Sequence, residues 1–206
     1  HVNSSHMNDQ SFATWRSILI GALLIPLNSY WHIQMTLVWL MNFPAILTLL
    51  FNVIFILLLL VAGNRLWAQY SSHNALRQSE LLTIYTMLCT STALCGYDMM
   101  QCLVSLMGSG TWYATNENEW ITLFSHYLPD WLVVKDTGIL TPFYSGESSF
   151  YLSRHLTVWL VPIVCWTAFV ILLIWVMLCI NVLLRKQWIE HERLAYPIVE
   201  LPYNMT

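Results

Sequence analysis

Charge is what this chain has least of. Across 206 residues there are eight Lys and Arg and eleven Asp and Glu, 9% together, where soluble domains carry about 25%. That scarcity argues against a soluble globular surface. The formal charge of −3, with no basic patch interleaved with aromatics, argues against a nucleic-acid partner. The five cysteines, Cys89, Cys95, Cys102, Cys165 and Cys179, fall inside apolar runs without CxxC spacing. They read as small buried hydrophobes, not as a disulfide frame or metal site. GxSxG, P-loop and GxGxxG patterns are all missing, so no hydrolase elbow, phosphate cradle or dinucleotide cofactor is expected.

What the chain does have is apolar length. Residues 156–184, LTVWLVPIVCWTAFVILLIWVMLCINVLL, lie between Arg154 and Arg185 without one charge. A bilayer core about 30 Å thick needs roughly 20 such residues. A soluble helix would keep a polar stripe, and Arg185-Lys186 supplies a basic stop at the end. Hydrophobic residues reach 57%, mean hydropathy is +0.57, and eleven tryptophans suit two membrane interfaces. The fold class is therefore all-α: a polytopic integral membrane protein with about four transmembrane helices.

Those helices are expected near 13–31, 37–62, 80–107 and 156–184, with a long external loop at 108–155 and residues 1–12 as a leader or remnant outside the fold. Pro26 should kink the first helix, and Pro44 suits the first turn of the second. The second should stop at Gly63-Asn64-Arg65, with a polar connector following. Ser79-Glu80 looks like the cap and first acid of the third. A short interfacial helix is expected near 118–126. With the N-terminus inside, the cytoplasmic segments hold Arg16, Arg65, Arg77, Arg185, Lys186 and Arg193, and the outside holds Lys135 and Arg154. That satisfies the positive-inside rule and puts both the N-terminus and the C-terminal tail in the cytoplasm.

Asp98 is the one ionisable residue deep in an apolar run, where charge costs roughly 2.5–3.5 kcal/mol on insertion scales. Helical spacing would put Ser91, Cys95, Asp98 and Cys102 on one face, with Gln101 nearby and Gly96 permitting close approach. Two readings stand: a substrate or ion path using Asp98, Ser91 and Gln101, or a structural carboxyl bonded to a neighbouring helix. Thr90-Ser91-Thr92-Ala93 with Gly96 fits tight helix packing. His191-Glu192 opens like a zinc motif, but Ala195 replaces the second histidine, so no metal is expected. His32, His73, His126 and His155 sit at predicted helix ends or in loops, as interface residues would. Asn204-Met205-Thr206 is a sequon that this topology keeps from glycosylation.

The motif order is informative. SELLTIYTML opens the third helix, TWYATNENEWITLFSHYLPDWLVV and FYSGE fill the loop, and LLRKQWIEHERLAYPIVELP follows the fourth helix. Over about 13–206 this series resembles the N-terminal region of an uncharacterised prokaryotic branch of the oligopeptide transporter (OPT) superfamily. The resemblance implies an inner-membrane protein of many helices, of which this is the first part, and a secondary transporter, typically proton-coupled, for peptides or metal chelates. The NPG-type signature of the peptide carriers is missing. The alternative is a small four-helix membrane subunit or scaffold that binds a partner through loop 108–155. An intramembrane enzyme is not expected, because Asp98 has no partner acid or base in these helices. The partners this reading admits are the lipid bilayer, the remaining helices of a larger carrier or a membrane subunit, and a second copy of the chain.

Overall fold

The computed structural model describes residues 14–39, 50–70, 75–146, 148–149, 151–188 and 197–206, apart from the side chains of 97, 98 and 197–199. The expected leader 1–12, Pro44, His73 and His191-Glu192 lie outside the described residues. Every regular element among the described residues is helical. The chain forms two compact units, one of residues up to Gln101 with Tyr196–Thr206, the other of Cys102–Ala195.

In the first unit, α1 spans Trp15–Ile33 and runs directly into a π-helical turn, Gln34–Val38. Thr14 caps it, accepting from the Ser17 amide at 3.3 Å. At 19 residues it matches the predicted 13–31 in length but lies two residues later, and Pro26 sits inside it. The second helix, α2, spans Phe51–Tyr70, so the expected stop at Gly63-Asn64-Arg65 is corrected. A Cβ at Gly63 would meet nothing within 4 Å, and the helix penalty of one glycine, about 1 kcal/mol, is too small to end the helix there. The turn comes later, where Asn64 clasps Leu76: its Nδ2 donates to the carbonyl at 2.9 Å and its Oδ1 accepts from the amide at 2.7 Å.

The predicted third span, 80–107, is not one helix. Helix α3 covers Gln78–Cys95, Gly96 turns extended (φ −63°, ψ 165°), a π-helical turn holds Tyr97–Gln101, and α4 covers Cys102–Trp112. Its cap is Arg77, not Ser79. Glu80 reaches back to accept from the Arg77 amide at 2.9 Å, satisfying one of the first-turn donors that a helix leaves open.

Cross-helix hydrogen bonds set the directions. Thr14 bonds Glu80, Asn28 bonds Thr92, and Thr36 bonds Gln101, so α1 and α3 run parallel. Asn52 bonds Thr92 while Asn64 bonds Leu76, so α2 is antiparallel to both. Val53, Ile56, Leu57, Leu81, Ile84, Tyr85 and Leu88 form the core between α2 and α3. The start of α1, the end of α2 and the start of α3 therefore share one end of this unit. The tail contains α8, Pro197–Met205. It packs at that same end, where Gln78 Nε2 donates to the Tyr203 carbonyl at 3.1 Å.

The second unit shows that the long loop is folded. Besides α4 it holds α5 (Trp120–Leu123, followed by a 3₁₀ turn at Ser125–Tyr127, close to the predicted 118–126), α6 (Thr137–Ser145) and α7 (Ser153–Lys186). Asp136 caps α6, and Gly146 ends it at φ +77°, a left-handed position that glycine adopts without a Cβ penalty. Met107, Val134, Ile139, Leu140 and Trp159 make its core. Helix α7 extends the predicted 156–184 at both ends. Its 34 residues would measure roughly 50 Å. Among the described residues, three helical stretches are long and apolar enough to cross a membrane: Trp15–Val38, Phe51–Tyr70 and Ser153–Lys186.

Candidate functional site

Buried polar residues of the first unit line the seam between α1 and α3, joined there by Asn52 from α2. At its centre, Asn28, Asn52 and Thr92 are each at most 1% exposed. Asn28 Nδ2 donates to Thr92 Oγ1 at 2.8 Å, and Asn52 Nδ2 donates to Asn28 Oδ1 at 2.9 Å and to Thr92 Oγ1 at 3.1 Å. Thr92 spends its own proton on the Leu88 carbonyl at 2.9 Å, which leaves its lone pairs free to accept from both carboxamides. Beside this triad, Ser29 follows Asn28 on α1 and Ser91 precedes Thr92 on α3; their hydroxyls lie 3.0 Å apart, and the Cys95 thiol donates to Ser29 at 3.3 Å.

The seam ends at the break. Where α3 stops, Gln101 Nε2 donates to the freed Cys95 carbonyl at 3.2 Å and to Thr36 Oγ1 at 2.9 Å. Thr36 in turn donates to the His32 carbonyl at 3.0 Å. Backbone groups that a helix break frees inside a packed structure need such partners. Two π-helical turns thus meet, one after each helix, pinned by a single carboxamide. Such turns are frequent at functional sites.

Of the three predicted path residues, Ser91 and Gln101 both join this seam. Asp98 is in the π-helical turn Tyr97–Gln101; its side chain lies outside the described residues. The single face drawn through Ser91, Cys95, Asp98 and Cys102 does not exist as a helical face, because Gly96 interrupts the helix between Cys95 and Asp98. Tight packing at the small-residue run is present at Ser91 and Thr92. At Gly21 of α1, a Cβ would come within 2.6 Å of the Met87 sulfur, so the Met87 side chain of α3 fills the space the glycine leaves.

His32 was expected at an interface, but it is 1% exposed, and neither ring nitrogen has a hydrogen-bond partner among the described residues. The signal was present in the sequence. Ser17, Gly21, Asn28 and His32, all buried, follow helical spacing and mark the contact face of α1.

At the shared end of the unit, Glu80 is 3% exposed and precedes the apolar run that begins at Leu81. Burial pushes its pKa up. Hydrogen bonds from the Thr14 hydroxyl and the Arg77 backbone, with the charges of Arg16 and Arg77, outweigh burial and leave it below its ordinary value. All five cysteines are free thiols. Among the described residues, no three His, Cys, Asp or Glu side chains cluster closely enough to hold a metal ion.

A family model described as a family of unknown function (DUF6785) matches residues 7–206. No curated protein and no solved structure matches the chain.

Proposed function

The chain belongs to that family of unknown function, DUF6785, and we propose that it works in the inner membrane as the N-terminal segment of an OPT-like secondary transporter, with proton-coupled uptake of peptides or metal chelates as its activity. The observation that carries the reading is the interrupted helix at Gly96, held against α1 by Gln101. Secondary carriers place solute and ion sites at discontinuous helices, where unwound backbone and polar side chains replace the ligand's water. The motif series of the loop and tail supports the same superfamily. In this reading Ser91 and Gln101 line the path and Asp98 is its ionisable member.

The charge distribution supports the orientation. Arg16, Arg65 and Arg77 lie at one end of the first unit, which the positive-inside rule makes cytoplasmic. Helix α3 carries the chain away from that end and α8 is back at it. The chain therefore returns between them, and α7, at roughly 50 Å, has the length of a membrane crossing.

The test is water access. In a cysteine-free background, Ser91→Cys and Gln101→Cys should react with a membrane-impermeant thiol reagent, while Leu88→Cys, in the closed core, should not. Protection of both path positions would remove the carrier reading. In the complete protein, Asp98→Asn should impair coupling more than folding; unchanged transport with unchanged pH dependence would remove Asp98 from the path.

A second reading, a membrane subunit that binds a partner through 108–155, draws on the independent core of the second unit. Deleting 118–132 should then abolish partner capture while leaving the first unit folded.

A further inference from the structure

Arg65 sits one turn past the apolar part of α2 and is exposed. Among the described residues no carboxylate lies within ion-pairing distance of it; the ion pairs there are Lys135–Asp130 and Arg154–Asp136. It opens onto a cleft of about 490 Å³ between α2 and α8. Asn204 joins Arg65 at the polar edge, and the walls are Leu58, Val61, Ala62, Leu66 and Met205. Glu200, in the first turn of α8, does not line the cleft. One guanidinium and one carboxamide thus meet an apolar furrow that follows α2 toward its middle.

We propose that this cleft is a binding site for an anionic phospholipid, with the phosphate on Arg65 and Asn204 and an acyl chain along Leu58, Val61 and Leu66. A guanidinium presents a planar fork that matches phosphate oxygens bidentately. Basic pockets between helices at the cytoplasmic edge of a membrane take anionic headgroups. A soluble anion would leave the furrow empty, and a neutral lipid would leave the guanidinium without a counter-charge. A phospholipid of negative headgroup satisfies both halves. Helix α8 gains a role from this: held to α3 through Gln78 and Tyr203, it closes the cleft with Asn204 and Met205.

The inference rests on the membrane reading of α2, and the experiment separates the two. The full chain is purified in mild detergent, equilibrated with equal phosphatidylglycerol and phosphatidylcholine, and its bound lipids are counted by native mass spectrometry. The wild type should retain phosphatidylglycerol over phosphatidylcholine about fivefold, the scale of one basic residue at a membrane surface. Arg65→Gln should bring the two to parity, Arg65→Lys should keep most of the preference, and Ala62→Trp should fill the furrow and lower retention of both lipids. Arg185→Gln should leave the preference unchanged. Equal preference in the wild type and Arg65→Gln overturns the site. Complete displacement by glycerol 3-phosphate overturns the lipid in favour of a small phosphate ligand. A chain that binds no lipid of either class and behaves as a soluble particle overturns the membrane reading itself.

Discussion

Thr92 accepts from two carboxamides on two other helices and has no spare donor, so it is the residue on which α1, α2 and α3 agree. Thr92→Val keeps its shape and removes the acceptor. Interhelical hydrogen bonds contribute modestly in a membrane, and a buried donor left open costs more than the bond was worth. We expect a loss of roughly 1–2 kcal/mol, read as a lower unfolding temperature in detergent; an unchanged temperature would mean the triad contributes nothing. Replacing Asn28, Asn52 and Thr92 together by apolar residues should cost less than the sum of the single changes, because no donor is then stranded. His32 gives the opposite sign. Its buried ring has no partner among the described residues, so His32→Leu should hold or raise the unfolding temperature. A clear fall would reveal a partner. The stripe Ser17, Gly21, Asn28, His32 was legible as helical spacing. That His32 faces protein and not an interface was not, because burial of one face depends on which helix lies against it.

Helices meet in this molecule at contacts that volume controls. Gly21 leaves room for Met87, and the nearest atoms are the flexible end of that side chain. Gly21→Ala should be tolerated as Met87 swings aside, whereas Gly21→Leu should cost about 1–3 kcal/mol through overpacking, again read from thermal unfolding. If Gly21→Leu were neutral, α1 and α3 would not be packed here. The break at Gly96 is an element-scale device of another kind. Its φ and ψ are accessible to any residue, so the glycine is not required by backbone strain. It favours the break because glycine is worth about 1 kcal/mol less than alanine in a helix. Gly96→Ala should shift the segment toward a continuous helix and reduce thiol labelling at Ser91→Cys without lowering stability. Labelling unchanged from the glycine parent would separate the break from access. Apolar periodicity announced a long helix at 80–107; the interruption depends on Gln101 and Thr36, which touch only once α1 and α3 lie side by side.

Whole-molecule behaviour should follow the charges. Glu80 lies among Arg16, Arg77 and Thr14 with its pKa depressed. A depressed carboxylate contributes stability that is present above the unfolded pKa and is lost as pH falls through the folded one. The full chain should therefore lose stability on acidification below the ordinary glutamate range, and Glu80→Gln should be less stable at neutral pH with a flatter acid limb. Parallel acid limbs would remove Glu80 from the account. Reporter fusions at the N-terminus and after Thr206 should both be cytoplasmic, since α1 starts and α8 lies at the arginine-rich end. Opposite locations would reverse the proposed crossing count.

Composition and hydropathy alone determined that this is an all-helical chain with apolar spans, because the demand of a bilayer for some twenty uncharged residues is a local property of the sequence. They also placed α7 to within a few residues at each end. The tertiary structure decided where α2 ends, where the third helix breaks, that the loop between the third and fourth spans has its own core, and which polar residues share the seam. Each of those depends on contacts between residues far apart in the chain: Asn64 with Leu76, Gln101 with Thr36, Val134 with Met107, Asn28 with Thr92. A hydrogen bond between two helices leaves no periodicity in either one. Its donor and acceptor become a site only when packing brings them within 3 Å or so of each other.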